Sequence, residues 1–177
     1  AREIWRTRDG WVSFGLRGGK ARVPTLELLT RLVTQEQIPG GDVLAAMELG
    51  EEVRNQWAFT AMDEHGECLG ACVLVLAAGA RRAPAPDRVG LHRPSLDPKA
   101  SRDATGQKNA ALARKVQTYL TRMGMPKKLF QDMMQQPSDK TLLLNAARLK
   151  TLGLEGVDPA FEEWARANNA QRPPSSD

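Results

Sequence analysis

Apolar and polar positions alternate with a period of two in two stretches. Val12, Phe14 and Leu16 interleave with Trp11, Ser13 and Gly15, and Trp57, Phe59 and Ala61 interleave with Ala58, Thr60 and Met62. Each pattern predicts a strand, because successive side chains of an extended chain point to opposite faces. Residues 2–8 are mixed and polar, and Asp9-Gly10 reads as a turn. Helical spacing dominates elsewhere. Pro24 suits the first turn of a helix carrying Leu26, Leu29 and Val33, and Asp42 can cap a second one carrying Val43, Ala46, Met47, Gly50 and Val53. Ala111, Leu112, Val116, Tyr119, Leu120 and Met123 form an amphipathic stripe closed by Gly124. Another helix follows Pro126 with Leu129, Phe130, Met133 and Met134, ending before Pro137. Asn145 is placed to cap residues 146–152, Gly153 to close them, and residues 157–167 add a last helix. Residues 94–106 read as a loop, and the polar tail 171–177 as disordered.

One stretch breaks both patterns. Residues 71–78 are apolar on every face, which predicts a helix buried inside the domain. Small residues around Gly70 precede it, Arg81-Arg82, Pro84 and Pro86 make a loop after it, and residues 88–92 return as a short strand ending at His92. Small turn, buried helix, loop, strand and histidine is the layout of a candidate active site.

Length and composition narrow the class. A chain of 177 residues can bury enough surface for one domain, expected over residues 1–170. With 41% hydrophobic residues, a negative mean hydropathy and no apolar run of membrane-spanning length, a soluble chain without a transmembrane segment is expected. The formal charge is +4 and the pI about 9.3. Arg102, Lys108, Arg114, Lys115, Arg122, Lys127 and Lys128 face only Asp103 and Asp132, but Tyr119 is the single aromatic among them. That argues for a solvated helix face and against a nucleic-acid reader. Two cysteines, Cys68 and Cys72, and two histidines, His65 and His92, provide no metal set of recognisable spacing, and no cofactor is implied. Buried free thiols are the expected state of the cysteine pair, with a strained disulfide as the alternative. No signal peptide is visible, yet the chain opens at Ala1, so a removed leader stays open and composition leaves the compartment undecided.

The order Pro39-Gly40-Gly41-Asp42 with helix, strand, small-residue turn with buried helix, Gly90-Leu91-His92-Arg93-Pro94, two helices, Pro137-Ser138-Asp139, short helix and Leu152-Gly153-Leu154 resembles the proteolytic-subunit family of Clp proteases. The likeness is to the exported, periplasmic branch of Clp-like serine proteases, within the wider Clp/crotonase fold, and runs from about Ile38 to Gly156, leaving residues 1–37 divergent. It implies an α/β domain built as a spiral of ββα units, with a mostly parallel sheet and outer helices. It also implies a Ser-His-Asp site with His92 as general base, Asp139 as the acid orienting it, and backbone N–H groups of Gly40, Gly41 and Ala71 in the oxyanion hole. The family's nucleophile falls on Gly70, where the motif reads Cys68-Leu69-Gly70-Ala71-Cys72 in place of Cys-x-Ser-Ala-Cys. Glycine has no Oγ, so acyl transfer through a serine at this position is chemically closed. The leading expectation is therefore a Clp-like serine-peptidase homologue that is inactive and retains a cleft for a peptide or partner protein. Two rivals remain: an active endopeptidase, if Gly70 is an engineered replacement or another residue attacks, and a crotonase-like acyl-thioester binder that polarises a carbonyl without a serine. The resemblance places the protein in the periplasm or outside the cell, with the cytoplasm as the alternative. Family members often assemble into rings, which leaves a homo-oligomer open.

Overall fold

The computed structural model describes residues 2–7, 10–15, 43–62, 66–95, 102–137 and 139–169, with side chains for 43–62, 66–95, 108–137 and 139–168. The helix expected after Pro24, the Gly40-Gly41 turn and the tail lie outside the described residues.

Strands β1 (Arg2–Thr7) and β2 (Gly10–Gly15) form an antiparallel hairpin with Thr7 opposite Gly10. The β2 strand was legible in its alternation; β1 was not, because its residues lack an apolar face and its pairing comes from the neighbouring strand. Helix α1 (Val43–Asn55) follows, then strand β3 (Phe59–Met62), which pairs antiparallel with β2. A two-residue strand β4 (Cys68–Leu69) leads into helix α2 (Cys72–Ala78), and strands β5 (Arg81–Ala83) and β6 (Val89–Leu91) come next. The chain continues through helix α3 (Arg102–Arg122), helix α4 (Lys127–Gln135), strand β7 (Leu142–Leu144), helix α5 (Ala146–Thr151), strand β8 (Gly156–Val157) and helix α6 (Pro159–Asn169).

The strands form two sheets, one ordered β1-β2-β3-β5-β8 and one ordered β4-β6-β7. This corrects the spiral of ββα units with a mostly parallel sheet. Only β3·β5 and β4·β6 are parallel ladders, and the pairs β1·β2, β2·β3, β5·β8 and β6·β7 are antiparallel. The physical reason lies in strand length. A parallel spiral needs a crossover between successive long strands, whereas β4 and β8 hold two residues each and β5, β6 and β7 three.

Helix α2 lies against α1 and against strands of both sheets. Val73 to Ala78 are all buried, as a helix apolar on every face requires. Removing Leu74 and Leu76 from water stabilises the fold by about 1.5–3 kcal/mol each. Buried Val116, Tyr119 and Leu120 of α3, Met123 just beyond it, and Leu129 and Met133 of α4 join the same core. Glycine at position 50 makes room for a side chain of α3: a Cβ there would stand 1.7 Å from the Tyr119 hydroxyl, which donates to the Leu74 carbonyl at 2.8 Å.

Two further expectations are corrected. Residues 81–83 are a strand rather than loop, since a buried ion network holds them; Arg-Arg reads as solvent-facing only while its partners are unknown. Arg82 Nη2 meets Asp158 Oδ2 at 2.7 Å, while its Nε and Nη1 donate to the carbonyls of Ala77 and Gly153. Arg54 Nη1 approaches the same Asp158 oxygen at 3.0 Å. Asp158 Oδ1 accepts from the N–H groups of Ala160 and Phe161, so one carboxylate both pairs with two guanidinium groups and caps α6. The expected 94–106 loop is also shorter than predicted, because α3 begins at Arg102.

Candidate active site at the ends of strands β4 and β6

Parallel pairing brings two distant residues together. Cys68 lies opposite Val89 and Leu69 opposite Gly90, so β4 and β6 finish at the same end of the sheet. Gly70 is the next residue on one strand and His92 follows Leu91 on the other. Crevices at the carboxyl ends of parallel strands are where α/β proteins collect their chemistry. The Cys68 N–H donates to the Arg88 carbonyl at 2.8 Å and the Gly70 N–H to the Gly90 carbonyl at 3.0 Å, which ties the turn to β6.

At Gly70 the backbone has φ +58°, between a strand and a helix. An ideal Cβ built there would stand 2.1 Å from His92 Nε2 and 2.7 Å from Cε1. The imidazole therefore covers the Cα of Gly70 and fills the space of a side chain. Two requirements thus select glycine here, left-handed backbone and contact with the ring. His92 is half-buried, and its Nδ1 lies 3.1 Å from the Arg93 carbonyl. A carbonyl oxygen only accepts, so in the neutral ring Nδ1 carries the proton and Nε2 presents its lone pair toward Gly70. That is the tautomer a general base uses.

The following residue anchors this segment. Arg93 donates from Nε at 3.1 Å and Nη2 at 2.7 Å to the carbonyl of Met134, which lies in the last turn of α4. Carbonyls there have no partner within the helix, so a guanidinium finds an acceptor already oriented. Arg93 has no role in the site that the motif implies; its only signal in the sequence is a cation beside the candidate base with a helix end to dock on.

The other expected residues divide. Ala71, the expected oxyanion donor after the nucleophile, is buried directly beyond Gly70. Gly40 and Gly41 lie outside the described residues. Asp139 is exposed, and among the described residues no hydrogen bond or ion pair joins it to His92. Its expected place as orienting acid is taken by the Arg93 carbonyl, because the short segment before β7 leaves Asp139 in a solvent-facing turn. Ser95 is half-buried, and Ser101 lies outside the described residues.

The cysteine pair corrects another expectation. Cys68 and Cys72 are joined by a disulfide, with their Cα atoms 5.2 Å apart, and are not free thiols. The bond bridges the strand residue and the first residue of α2, enclosing Leu69, Gly70 and Ala71. A tight non-helical turn brings together residues that a helix would have kept at regular spacing. Among the described residues no group of three or more His, Cys, Asp or Glu is arranged to hold a metal ion, and no helix is long and apolar enough to cross a membrane.

No protein-family model matches the chain, and no curated protein sequence matches it.

Proposed function

We propose that this protein carries the site of a serine-peptidase homologue, of the Clp-like kind that its sequence resembles, from which the nucleophile is missing, and that it binds peptide or protein segments without cleaving them. The single observation that supports this is the approach of His92 Nε2 to the Cα of Gly70 in a strand–turn–helix with positive φ. Serine nucleophiles are held on such sharp turns, addressed by an imidazole nitrogen within hydrogen-bond reach. The reading rests on this local geometry and not on the sheet architecture, which differs from the spiral that the resemblance implied. Without an Oγ the imidazole has no hydroxyl to deprotonate, so no acyl-enzyme forms at position 70. The Cys68–Cys72 disulfide supports an oxidising compartment, in line with a periplasmic or exported protein.

The test is Gly70→Ser beside Gly70→Ala. Both side chains require the ring to shift, and both impose left-handed backbone on a residue with a Cβ, at a cost of about 1–3 kcal/mol. Folded Gly70→Ser is expected to react with a fluorophosphonate probe, Gly70→Ala is not, and adding His92→Ala to the serine variant should abolish labelling. A folded Gly70→Ser protein that the probe leaves untouched overturns the proposal.

A further inference from the structure

We propose that Cys68–Cys72 is a thiol–disulfide exchange site for a dithiol reductant, and that its redox state sets whether Gly70 stays against the His92 imidazole.

The two sulfurs sit in unequal surroundings. Cys68 is fully buried in the core, hydrogen-bonded through its N–H to the Arg88 carbonyl and paired with Val89. Cys72 is half-buried and opens α2. The bond therefore ties the start of α2 to the enclosed end of β4. Strand β6, which holds Cys68 in place, is also the strand from which His92 emerges. Gly70 is suspended between them, held by its N–H to the Gly90 carbonyl and by the Val73 N–H donating to its own carbonyl.

Cleavage replaces one covalent bond by a contact between two thiols, which stand farther apart than bonded sulfurs. Cys68 is enclosed in the core while Cys72 is half-buried, so the displacement falls on Cys72 and on the three residues between them. Those residues include Gly70, beside which the His92 ring occupies the place of a side chain. Opening accordingly changes the contact between Gly70 and Nε2.

The exchange balances without further components. A thiolate of the reductant attacks Sγ of Cys72, the more accessible sulfur, and forms a mixed disulfide as the Cys68–Cys72 bond breaks. Cys68 leaves as a thiolate and takes a proton, because burial disfavours its charge. The second thiol of the reductant then attacks the reductant's own sulfur in the mixed disulfide and releases Cys72, which is protonated from water. Two electrons pass to the protein, and the reductant ends as a disulfide. The inference concerns the turn itself and holds whether or not the site binds peptide.

The experiment uses the full chain carrying His65→Gln, so that one imidazole is observed, with dithiothreitol as the probe. Under native conditions both cysteines are expected to become open to alkylation while the far-ultraviolet circular dichroism is retained. The ring signals of His92 should move to a new position and return on reoxidation, and carbethoxylation of His92 should run about threefold faster or more in the reduced form. The Cys68→Ala/Cys72→Ala variant should show the reduced-state His92 signals without reductant; if it does not fold, the reduction of the unsubstituted cysteines decides. Three results overturn the proposal: cysteines that alkylate only in denaturant, alkylation with unchanged His92 signals, or loss of the fold on reduction.

Discussion

Asp158 and His92 each stand one residue beyond the end of a short strand, and their neighbours satisfy them very differently. Asp158 is buried, with two guanidinium groups on one oxygen and two N–H donors on the other. His92 is half-buried, with a single carbonyl at Nδ1 and no hydrogen-bond partner for Nε2 among the described residues. The Asp158 carboxylate is saturated, although its partner Arg54 keeps a buried Nε without an acceptor among the described residues; the His92 ring has one nitrogen committed and the other facing a glycine.

Breaking the saturated side should cost most. Asp158→Ala leaves the buried Arg82 and the half-buried Arg54 without their counter-charge and uncaps α6, and is expected to lower the unfolding free energy by about 3–5 kcal/mol in urea titration. Asp132 is an intermediate case. Its carboxylate is buried, but its partners Lys128 and Arg148, each at 2.7 Å, reach it from solvent with side-chain exposures of 59% and 40%. Asp132→Asn should therefore cost less, about 1–3 kcal/mol.

Acidity sharpens the same contrast. For both carboxylates burial pushes the pKa up, but hydrogen bonds and positive charge from Lys128 and Arg148, and from Arg54 and Arg82, outweigh it and hold the groups below the usual carboxylate range. A depressed folded-state pKa means that this stability is present above about pH 4 and is lost as the pH falls through the folded values. The urea midpoint should drop below pH 4 in the native protein and drop less steeply in Asp158→Asn, whose own baseline is lower. On the open side the effects shrink: His92→Ala should shift stability by about 1 kcal/mol or less. Asp139→Asn should fall within about 0.5 kcal/mol and leave the His92 ring signals unmoved, as an exposed residue unconnected to the ring requires. A large effect of Asp139 on those signals would restore it as the orienting acid.

What the sequence revealed follows the same division. Gly70 and His92 were brought together in the sequence only by the resemblance; strand β4, whose parallel pairing with β6 places them side by side, holds two residues and left no readable pattern. The buried helix was legible, because no polar residue interrupts residues 71–78. Arg82 misled, because its charge signals solvent until Asp158, far along the chain, arrives beside it. Asp139 misled in the opposite way, since a motif places a residue in the chain without placing it in space. The disulfide ranks only as the alternative in the sequence because a four-residue spacing on a helix strains the bond, while Gly70 permits a turn that helices exclude. The architecture escaped for a more general reason: strands of two or three residues carry too little pattern to fix their partners.

The approach of Tyr119 to Gly50 couples two positions far apart in the chain. Because one phenol hydroxyl reaches across α1 to the Leu74 carbonyl, positions 50 and 119 cannot drift separately. Loss of the oxygen alone does not free position 50, because a Cβ there would still stand 2.8 Å from the ring carbon Cζ. The phenol ring as a whole has to withdraw before alanine fits, so a paired substitution at 50 and 119 reads out a coupling that either change alone would hide.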